Sequence, residues 1–178
     1  DQPWHPKDVT KPQNAYGRSK KIGEDGIRAV GSTYGILRTS WVVSSHGNNF
    51  VKTMLNLSEN CDTLSVVSDQ IGGPTPAKDI AKACLQIVKQ LGQDPSKSGT
   101  YHFSGTEDVS WAEFAAEIFQ QTRRSVSVVP IPTCDYPTSA VRPLNSRLNC
   151  SKTGEVFSIN RPDWRIGLND ILNELGVI

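Results

Sequence analysis

Clustered cysteine and histidine are missing from this sequence of 178 residues. The four cysteines form no CxxC pair, and the three histidines are equally dispersed. They are Cys61, Cys84, Cys134, Cys150, His5, His46 and His102. Zinc sites and dithiol redox motifs need close spacing and mixed partners. We therefore predict no metal site and reduced cysteines that are mostly buried as small apolar residues.

An excess of one charge sign and a long apolar run are also absent. The formal net charge is +1, and Lys and Arg are scattered among acidic residues. Nucleic-acid surfaces and basic membrane faces need clustered positive charge. No apolar run approaches the roughly 20 residues of a membrane-spanning helix, and the charged start lacks a signal-peptide core. The sequence therefore predicts no nucleic-acid partner, no membrane partner and a cytoplasmic location.

Short β-branched runs alternate with amphipathic stretches along the chain, a pattern typical of an α/β fold with a parallel sheet. Predicted helices run from the N-cap Asn14 to about residue 30, over 50–59 and 77–91, from the N-cap Ser110 to about residue 121 and over 151–157, and residues 164–168 lead into a last helix that ends at Leu175. Predicted strands cover 33–43, 64–68, 99–105 and 126–131, and two glycines and two prolines predict a rigid, helix-free turn over 69–76. The buried side of the 77–91 helix is predicted to hold Ile80, Ala81, Cys84, Leu85, Ile87 and Val88.

Local signals also predict where two helices begin. Asn14 is a predicted N-cap of the first helix, and Gly31 its C-cap. Ser110 and Glu113 are spaced as a capping box for a later helix.

Tyr16 and Lys20 are four residues apart in the first predicted helix, so both side chains leave the same face. A free tyrosine holds its proton to a pKa of about 10. A nearby ammonium group favours the phenolate, which suits a phenol that protonates a carbonyl oxygen while hydride reaches the carbon. The alternative is a surface lysine whose aliphatic stem lies along the helix.

Longer strings around this pair carry a family resemblance. They are Asp1-Gln2-Pro3-Trp4, Tyr16-Gly17-Arg18-Ser19-Lys20, Leu37-Arg38-Thr39-Ser40-Trp41-Val42, Gly47-Asn48-Asn49-Phe50-Val51, Asp69-Gln70-Ile71-Gly72-Gly73-Pro74-Thr75 and Arg142-Pro143-Leu144-Asn145-Ser146-Arg147-Leu148. Together they resemble the nucleotide-sugar-modifying branch of the short-chain dehydrogenase/reductases, and within it the dTDP-4-dehydrorhamnose reductase family. The resemblance implies a partial Rossmann-like parallel sheet with helices, plus a small C-terminal α/β substrate-binding lobe.

The resemblance also implies roles for single residues. Tyr16 and Lys20 would be catalytic and would contact the cofactor, NADPH or NADH, together with Thr39 and Ser40. The dTDP-sugar substrate would be bound by Trp41, Asn49, Gln70, Thr75 and Arg142. A guanidinium suits a diphosphate because it donates two parallel hydrogen bonds. Trp41 could instead be a core residue, and Arg147 is predicted to be solvated.

A glycine-rich GxxGxxG turn, which this superfamily uses to bind the dinucleotide, does not occur in the sequence. We therefore expect the chain to correspond to the carboxyl-terminal portion of such a reductase. Residues 1–98 would be the end of the cofactor-binding domain, and 99–178 mainly the substrate-binding lobe, with some interleaving. An unpaired sheet edge near residue 33 would favour a homodimer or association with a partner fragment.

Three functions remain open at this point. The first is part of an NAD(P)H-dependent reductase that converts dTDP-4-dehydro-L-rhamnose to dTDP-L-rhamnose, inactive as this chain alone. The second is a non-catalytic regulatory or binding subunit of the same fold. The third is a related nucleotide-sugar epimerase or dehydratase. Some family members are magnesium-bridged dimers by resemblance, although no acidic cluster in the sequence requires a metal.

Overall fold

The computed structural model describes residues 2–138 and 141–178. Within them lie six α-helices: α1 Ala15–Val30, α2 Phe50–Leu57, α3 Ala77–Gln93, α4 Trp111–Gln121, α5 Ser151–Phe157 and α6 Trp164–Glu174. The strands are β1 Gly35–Arg38, β2 Val42–Val43, β3 Thr63–Val67, β4 Ile71–Gly72, β5 Thr75–Pro76, β6 Gly99–His102, β7 Val109–Ser110, β8 Ser127–Ile131 and β9 Asn145–Ser146. Short 3-10 helices cover Pro95–Lys97 and Thr133–Asp135. None of the helices described is long and apolar enough to cross a membrane.

Most strand pairs are parallel, as the sequence predicted. β1 pairs with β6, β2 with β5 and β3 with β8, each in parallel. A three-stranded sheet has the order β7-β4-β9, in which β7 is antiparallel to β4 and β9 is parallel to it. Parallel strands joined by helical crossovers make an α/β fold, so the predicted fold class is confirmed.

Helix ends follow the predicted caps. The Asn14 side chain accepts a hydrogen bond from the Gly17 amide, and Gly31 ends α1 in the left-handed region at φ 69°. Ser110 and Glu113 form the complete capping box at the start of α4. A side-chain oxygen at the N-cap replaces a hydrogen bond that the first turn lacks, so these sequence signals locate the helix starts reliably.

Two hydrophobic cores stabilise the chain. The larger one, here called the α4 core, gathers residues of α2, β3, α4 and α6; its most buried members are Val51, Phe114, Ala115, Ile118, Leu168 and Leu172. The smaller one, the α3 core, comprises Ala83, Ile87, Leu91, Tyr101, Phe103, Phe157 and Ile159. Both cores contain residues from either side of position 98, and the division into 1–98 and 99–178 stays a prediction.

The predicted strand over 33–43 is interrupted. β1 ends at Arg38, and β2 begins at Val42 and pairs with β5 instead of β6. Between them Trp41 has a φ of 48°, in the left-handed region that non-glycine residues rarely adopt. This backbone turn redirects the chain to a different strand partner, which the continuous apolar pattern of the sequence did not reveal.

The predicted buried face of α3 was partly wrong. Leu85 and Val88 are 73% and 67% exposed, and Cys84 is also exposed. The helix instead packs through Ala83, Ile87 and Leu91, because these residues face β1 and β6. Apolar residues occur on more than one side of this helix, so periodicity alone did not identify the packed side.

The cysteines are free but less buried than predicted. Cys84 and Cys134 are exposed, whereas Cys61 and Cys150 are half-buried. Burial raises the pKa of the Cys150 thiol and outweighs the hydrogen bond with Ser104, which lowers that pKa. The prediction of mostly buried cysteines is therefore wrong for this chain, although all four are reduced.

Candidate active site

An ion-pair network places α1 against the β1–β6 pair. Glu24 accepts two hydrogen bonds from Arg38, the last residue of β1, at 2.8 Å and 2.7 Å. Arg28, one turn later, donates to Glu24 at 2.8 Å and to Thr100 near the start of β6 at 3.1 Å. The hydrogen bonds from Arg38 lower the pKa of the Glu24 carboxyl despite its partial burial. The helix therefore runs antiparallel to both strands.

This orientation puts the start of α1 beyond the carboxyl end of β1. Tyr16 precedes Glu24 by eight residues, which corresponds to about 12 Å along a helix axis. In open parallel sheets, ligands bind at the carboxyl ends of the strands. Tyr16 and Lys20 therefore lie on the side of the sheet where a ligand is expected.

The Tyr16 and Lys20 side chains meet on one face of the helix. The Lys20 ammonium lies 5.4 Å from the centroid of the Tyr16 ring. Tyr16 is 72% exposed, and Lys20 is exposed too. Lys20 has no hydrogen-bonded or ion-paired partner within the described chain, so its three N–H donors remain available to a bound molecule. The geometry leaves the phenol accessible and a positive charge beside it.

Trp41 lies just past the carboxyl end of β1 and is half-buried. Its indole stacks on that of Trp111, with ring centroids 3.5 Å apart and planes 10° apart. Its carbonyl accepts a hydrogen bond from the Thr75 amide at 3.0 Å. The structure is therefore compatible with Trp41 as a core residue and with Trp41 as a substrate contact, because one face of its indole is packed and the residue is still partly exposed.

Thr39 and Ser40 occupy the turn between β1 and β2. Thr39 is exposed, and the half-buried Ser40 hydroxyl donates to the Gly73 carbonyl at 3.4 Å. The Thr75 hydroxyl donates to the same carbonyl at 2.9 Å and accepts from the Gly105 amide at 3.2 Å. Thr75 is fully buried, so in this conformation it braces the turn and does not offer its hydroxyl to a ligand.

Gln70 is only 5% exposed, and both ends of its amide are engaged. Its Nε2 donates to the Thr133 hydroxyl at 3.1 Å, and its Oε1 accepts from the Trp111 indole at 3.2 Å. Thr133 in turn donates through its hydroxyl and its backbone amide to Asp69. These hydrogen bonds lower the pKa of the Asp69 carboxyl, the side-chain bond most strongly. Gln70 thus links Trp111 of α4 to the 3-10 helix Thr133–Asp135.

The segment that carries Arg142 runs between α1 and β4. The Val141 carbonyl accepts a hydrogen bond from the Asn14 side chain, the N-cap of α1, at 3.4 Å. The Leu144 carbonyl accepts from the Ile71 amide at 2.8 Å. Arg142 lies between these two attachments and is exposed. The backbone beside Arg142 is therefore attached to the N-cap of the helix that carries Tyr16.

Arg147 and Asn49 have structural partners. Arg147 folds back so that its Nε donates to Asn145 at 2.9 Å, and it is half-buried, not solvated as predicted. Asn49 is the N-cap of α2: its oxygen accepts from the Val51 amide and its Nδ2 donates to the Ser44 carbonyl at 2.7 Å. Contact of Asn49 with a ligand stays a prediction.

The structure places most of the predicted residues in two groups, and Asn49 lies outside both. Tyr16 and Lys20 share one helix face, Thr39 to Trp41 follow β1, and hydrogen bonds join the latter segment to the turn that holds Gln70 and Thr75. Asn49 is the exception, because its amide hydrogen bonds stay within the loop before α2 and that helix's first turn. Sequence reasoning assigned Trp111 only to packing, although its indole contacts both Trp41 and Gln70.

Two further residues were missed. The Arg161 guanidinium donates to the Ser104 carbonyl at 3.2 Å, to the Gly105 carbonyl and to the Asp108 carboxylate. It therefore holds the segment after β6 in contact with Gly73 of the turn. Glu24 anchors α1, as described above. A lone charged residue gives no local signal of such long-range contacts, so the sequence did not reveal them.

Two cavities lie away from these residues. A groove of about 280 Å³ is lined by residues of β2, the start of α3 and α6, including His46, Lys78, Asp170 and Glu174. A shallower one of about 430 Å³ lies between the start of β1 and the end of α3. Over the residues described, no group of three or more His, Cys, Asp or Glu side chains is arranged to hold a metal ion.

The structure is that of an α/β chain whose first helix carries Tyr16 and Lys20 side by side on one face. Residues 1–177 match the model of the RmlD substrate binding domain family. The chain belongs to this family.

Relatives in the family support the assignment. The chain is 38% identical over 181 residues to dTDP-4-dehydrorhamnose reductase of Shigella flexneri, covering 98% of this chain and 60% of the relative. A crystal structure of a dTDP-4-dehydrorhamnose reductase from Clostridium acetobutylicum superposes with a TM-score of 0.90 at 36% identity, covering 99% of this chain and 61% of that one. The corresponding reductase of Bacillus anthracis, solved in complex with NADP, has a TM-score of 0.83 at 35% identity, covering 97% and 59%. The chain thus spans about 60% of the length of the relatives it matches.

Proposed function

We propose that this chain is part of an NAD(P)H-dependent reductase that converts dTDP-4-dehydro-L-rhamnose to dTDP-L-rhamnose. The observation that carries the proposal is the Lys20 ammonium 5.4 Å from the ring of an exposed tyrosine at the carboxyl end of β1. Membership of the RmlD substrate binding domain family and the named activity of the relatives support the same reaction. The cytoplasm remains our expectation for its location.

The side chains present fit one end of a nicotinamide cofactor. Lys20 has free donors for ribose hydroxyls, and the exposed Tyr16 phenol is beside it. NADPH or NADH, when bound, supplies the hydride for the sugar carbonyl carbon. The relative solved with NADP supports NADPH as the first cofactor to test. Thr39 and Ser40 are the further residues we expect to line this end.

Proton transfer is the step that this chain's own residues perform. The Tyr16 hydroxyl donates its proton to the C4 carbonyl oxygen of the sugar, and the Lys20 ammonium stabilises the phenolate that remains. Arg142 binds the diphosphate through paired N–H donors. Trp41 packs against the sugar from the end of β1.

Replacing Tyr16 with Phe in the full-length protein tests the mechanism. The variant keeps the ring beside Lys20 but has no proton to donate, so kcat should fall by about 100-fold or more with little change in substrate affinity. Steady-state kinetics with dTDP-4-dehydro-L-rhamnose measures both. Tyr34→Phe is the matched control, because Tyr34 lies at the opposite end of β1. Full activity of Tyr16→Phe would remove this residue from the mechanism.

A regulatory subunit of the same fold is the main alternative. Thermal unfolding of the chain with dTDP or dTDP-L-rhamnose separates the two, because a ligand that binds only the folded state raises the Tm. We expect a rise with both ligands. No rise with either would favour the regulatory role, whereas turnover of another nucleotide sugar would favour an epimerase or dehydratase.

We propose further that the 178 residues do not bind the cofactor tightly by themselves. The chain corresponds to about 60% of its relatives, and only the nicotinamide end of a site is represented by predicted residues. Titration of the chain with NADPH should show no saturation in the micromolar range. Micromolar affinity would contradict this part of the proposal.

Association through the sheet edge is a related proposal. Within the described chain β1 pairs only with β6, so its other edge has backbone groups open to another strand. A homodimer or a partner fragment could pair there. Size-exclusion chromatography should show self-association, and a monomer at all concentrations would contradict it. A role of Mg²⁺ in such a dimer stays an expectation from the family resemblance.

A further inference from the structure

The Trp41 indole is held in an unusual way. Its backbone is in the left-handed region at φ 48°, which costs about 1–2 kcal/mol for a residue with a Cβ. The indoles of the other three tryptophans each donate to a hydrogen-bond acceptor, whereas that of Trp41 has no acceptor among the described residues. Its orientation therefore depends on packing contacts alone, chiefly those with Trp111.

Trp111 is itself held on several sides. It is the first residue of α4, directly after the Ser110 N-cap, so the capping box determines its backbone position. Its indole nitrogen donates to the Gln70 amide oxygen at 3.2 Å. The Phe50 ring lies 4.5 Å from its ring centroid. A side chain with these contacts is a rigid platform for a second ring stacked on it.

Gly72 completes the contacts around Trp41. A Cβ at this position would lie 2.8 Å from Cε2 and 3.0 Å from Nε1 of the Trp41 indole, and 3.2 Å from the Ser146 Cβ. Any larger residue would displace the indole or Ser146. Glycine is therefore required for this close approach, whereas its conformational freedom is not used here.

From these contacts we infer that Trp111 is a positioning residue for substrate recognition. With Gln70 and Gly72 it forms a cradle, here called the Trp41 cradle, that orients the Trp41 indole toward the sugar of the nucleotide-sugar substrate. The inference rests on the proposed function, because it takes the ligand to be a dTDP-sugar. Gln70 acts through Trp111 and does not need to touch the ligand, which agrees with its burial.

The Trp41 cradle is also connected to the start of the segment that leads to Arg142, the residue proposed to bind the diphosphate. The Gln70 amide that accepts from Trp111 donates to Thr133, at the start of the segment that leads to Arg142. One buried amide thus joins the platform under Trp41 to the base of the segment with the guanidinium.

Binding of dTDP-L-rhamnose and of dTDP to the 178-residue chain, measured by isothermal titration calorimetry, tests the inference. Trp111→Phe keeps an aromatic ring but loses the hydrogen bond to Gln70 and part of the stacked area. We expect its Kd for dTDP-L-rhamnose to rise about fivefold to tenfold. The Kd for dTDP, which lacks the sugar, should change by less than about twofold.

Trp164→Phe is the matched control. Trp164 is buried in the same α4 core and donates its indole N–H to the Glu107 carbonyl at 2.9 Å, but it does not contact Trp41. A general loss of core packing would affect both variants alike. The ratio of the two Kd values should change in Trp111→Phe and stay constant in Trp164→Phe. Near-ultraviolet circular dichroism provides a second readout, since the stacked indoles should produce an exciton signal that only Trp111→Phe removes.

Gly72→Ala tests the orientation of Trp41 directly, because it displaces the indole and leaves Trp111 and Gln70 unchanged. It should raise the Kd for dTDP-L-rhamnose more than that for dTDP, as Trp111→Phe does. If the ratio of the two Kd values is unchanged in both variants while Trp111→Phe loses the exciton signal, the inference is wrong and the proposed function still stands. A wild-type chain that binds neither ligand would overturn the proposed function and the inference with it.

Discussion

The helices α1 and α4 both begin with a side-chain cap, yet they are held in opposite ways. α4 buries five residues, including Phe114, Ala115 and Ile118, in the largest core of the chain. α1 has sixteen residues and none of them is buried, and its contacts with the sheet are ionic and hydrogen-bonded. The proposed proton donor therefore lies on the less firmly held helix.

This difference teaches where stability and chemistry reside. Burial of apolar area is the main stabilising force, so α4 belongs to the most stable part of the fold. A hydroxyl that reacts with a ligand must instead be accessible, and Tyr16 is. The ion pairs of Glu24 orient α1 and leave Tyr16 exposed. A substitution that removes apolar packing from α4 should therefore differ in its effect on stability from one that removes an ion pair of α1.

The largest effect is expected in the α4 core. Phe114 is fully buried and packs against Trp164 and Phe50. Phe114→Ala should lower the free energy of unfolding by about 3–5 kcal/mol, because it leaves a cavity as well as losing buried area. Urea denaturation measures this change. A loss below about 1 kcal/mol would mean that α4 does not belong to the most stable part of the fold.

His102, the last residue of β6, should make the stability of the whole fold depend on pH. This residue is 2% exposed, and burial lowers its pKa from 6.5 to about 4. The unfolded state binds the proton more tightly, so stability is fully present above pH 6.5 and falls as the pH decreases toward 4. His102→Gln, which can still donate to the Trp4 carbonyl, should flatten this dependence. Urea midpoints across that range check it, and an unchanged slope would exclude His102 as the cause.

A smaller, local effect is expected at Glu24. Glu24→Gln weakens the contacts with Arg38 and Arg28 and should destabilise the attachment of α1 by about 1–2 kcal/mol. Since the pKa of Glu24 is lowered, its contribution is present above the ordinary glutamate pKa and is lost as the pH falls through the folded-state value. Hydrogen exchange should increase in α1 and not in α4. Asp25→Asn is the control, because the ion pairs of Asp25 with Lys21 and Arg28 both stay within α1, and an equal effect there would contradict the assignment.

The smallest effect is expected for the outer side of α1. Ile22 is 71% exposed, whereas Ile118 of α4 is fully buried. Ile22→Ala should change the free energy of unfolding by less than about 0.5 kcal/mol, and Ile118→Ala should lower it by about 2–5 kcal/mol. The pair differs only in location, so equal effects in urea denaturation would show that α1 buries Ile22 after all.

The sequence predicted elements best where the cause was local. Asn14 and Ser110 cap their helices as predicted, because capping involves residues three positions apart. The break at Trp41 and the packed side of α3 were mispredicted. Both depend on which strands lie nearby, and neither the pairing of β2 with β5 nor the contact of Ile87 with the sheet is encoded in a short window.

The candidate site shows the same limit. The spacing of Tyr16 and Lys20 was sufficient to place them on one helix face. Gln70 and Thr75 belong to the recognised turn, but their burial and hydrogen-bond partners became evident only in the structure. Trp111 was assigned to packing because the sequence separates it from Trp41 by seventy residues, although the two rings stack.

By itself the sequence determined the α/β class, the capped helices and the family to which the chain belongs, since these depend on periodicity and on continuous strings of residues. Only the tertiary structure decided that α1 is held by Glu24 and Arg38 and that Trp41 is supported by Trp111 and Gly72. Contacts of this kind join residues far apart in the chain. They form only when the helices and strands assemble, and that assembly depends on the whole arrangement of elements.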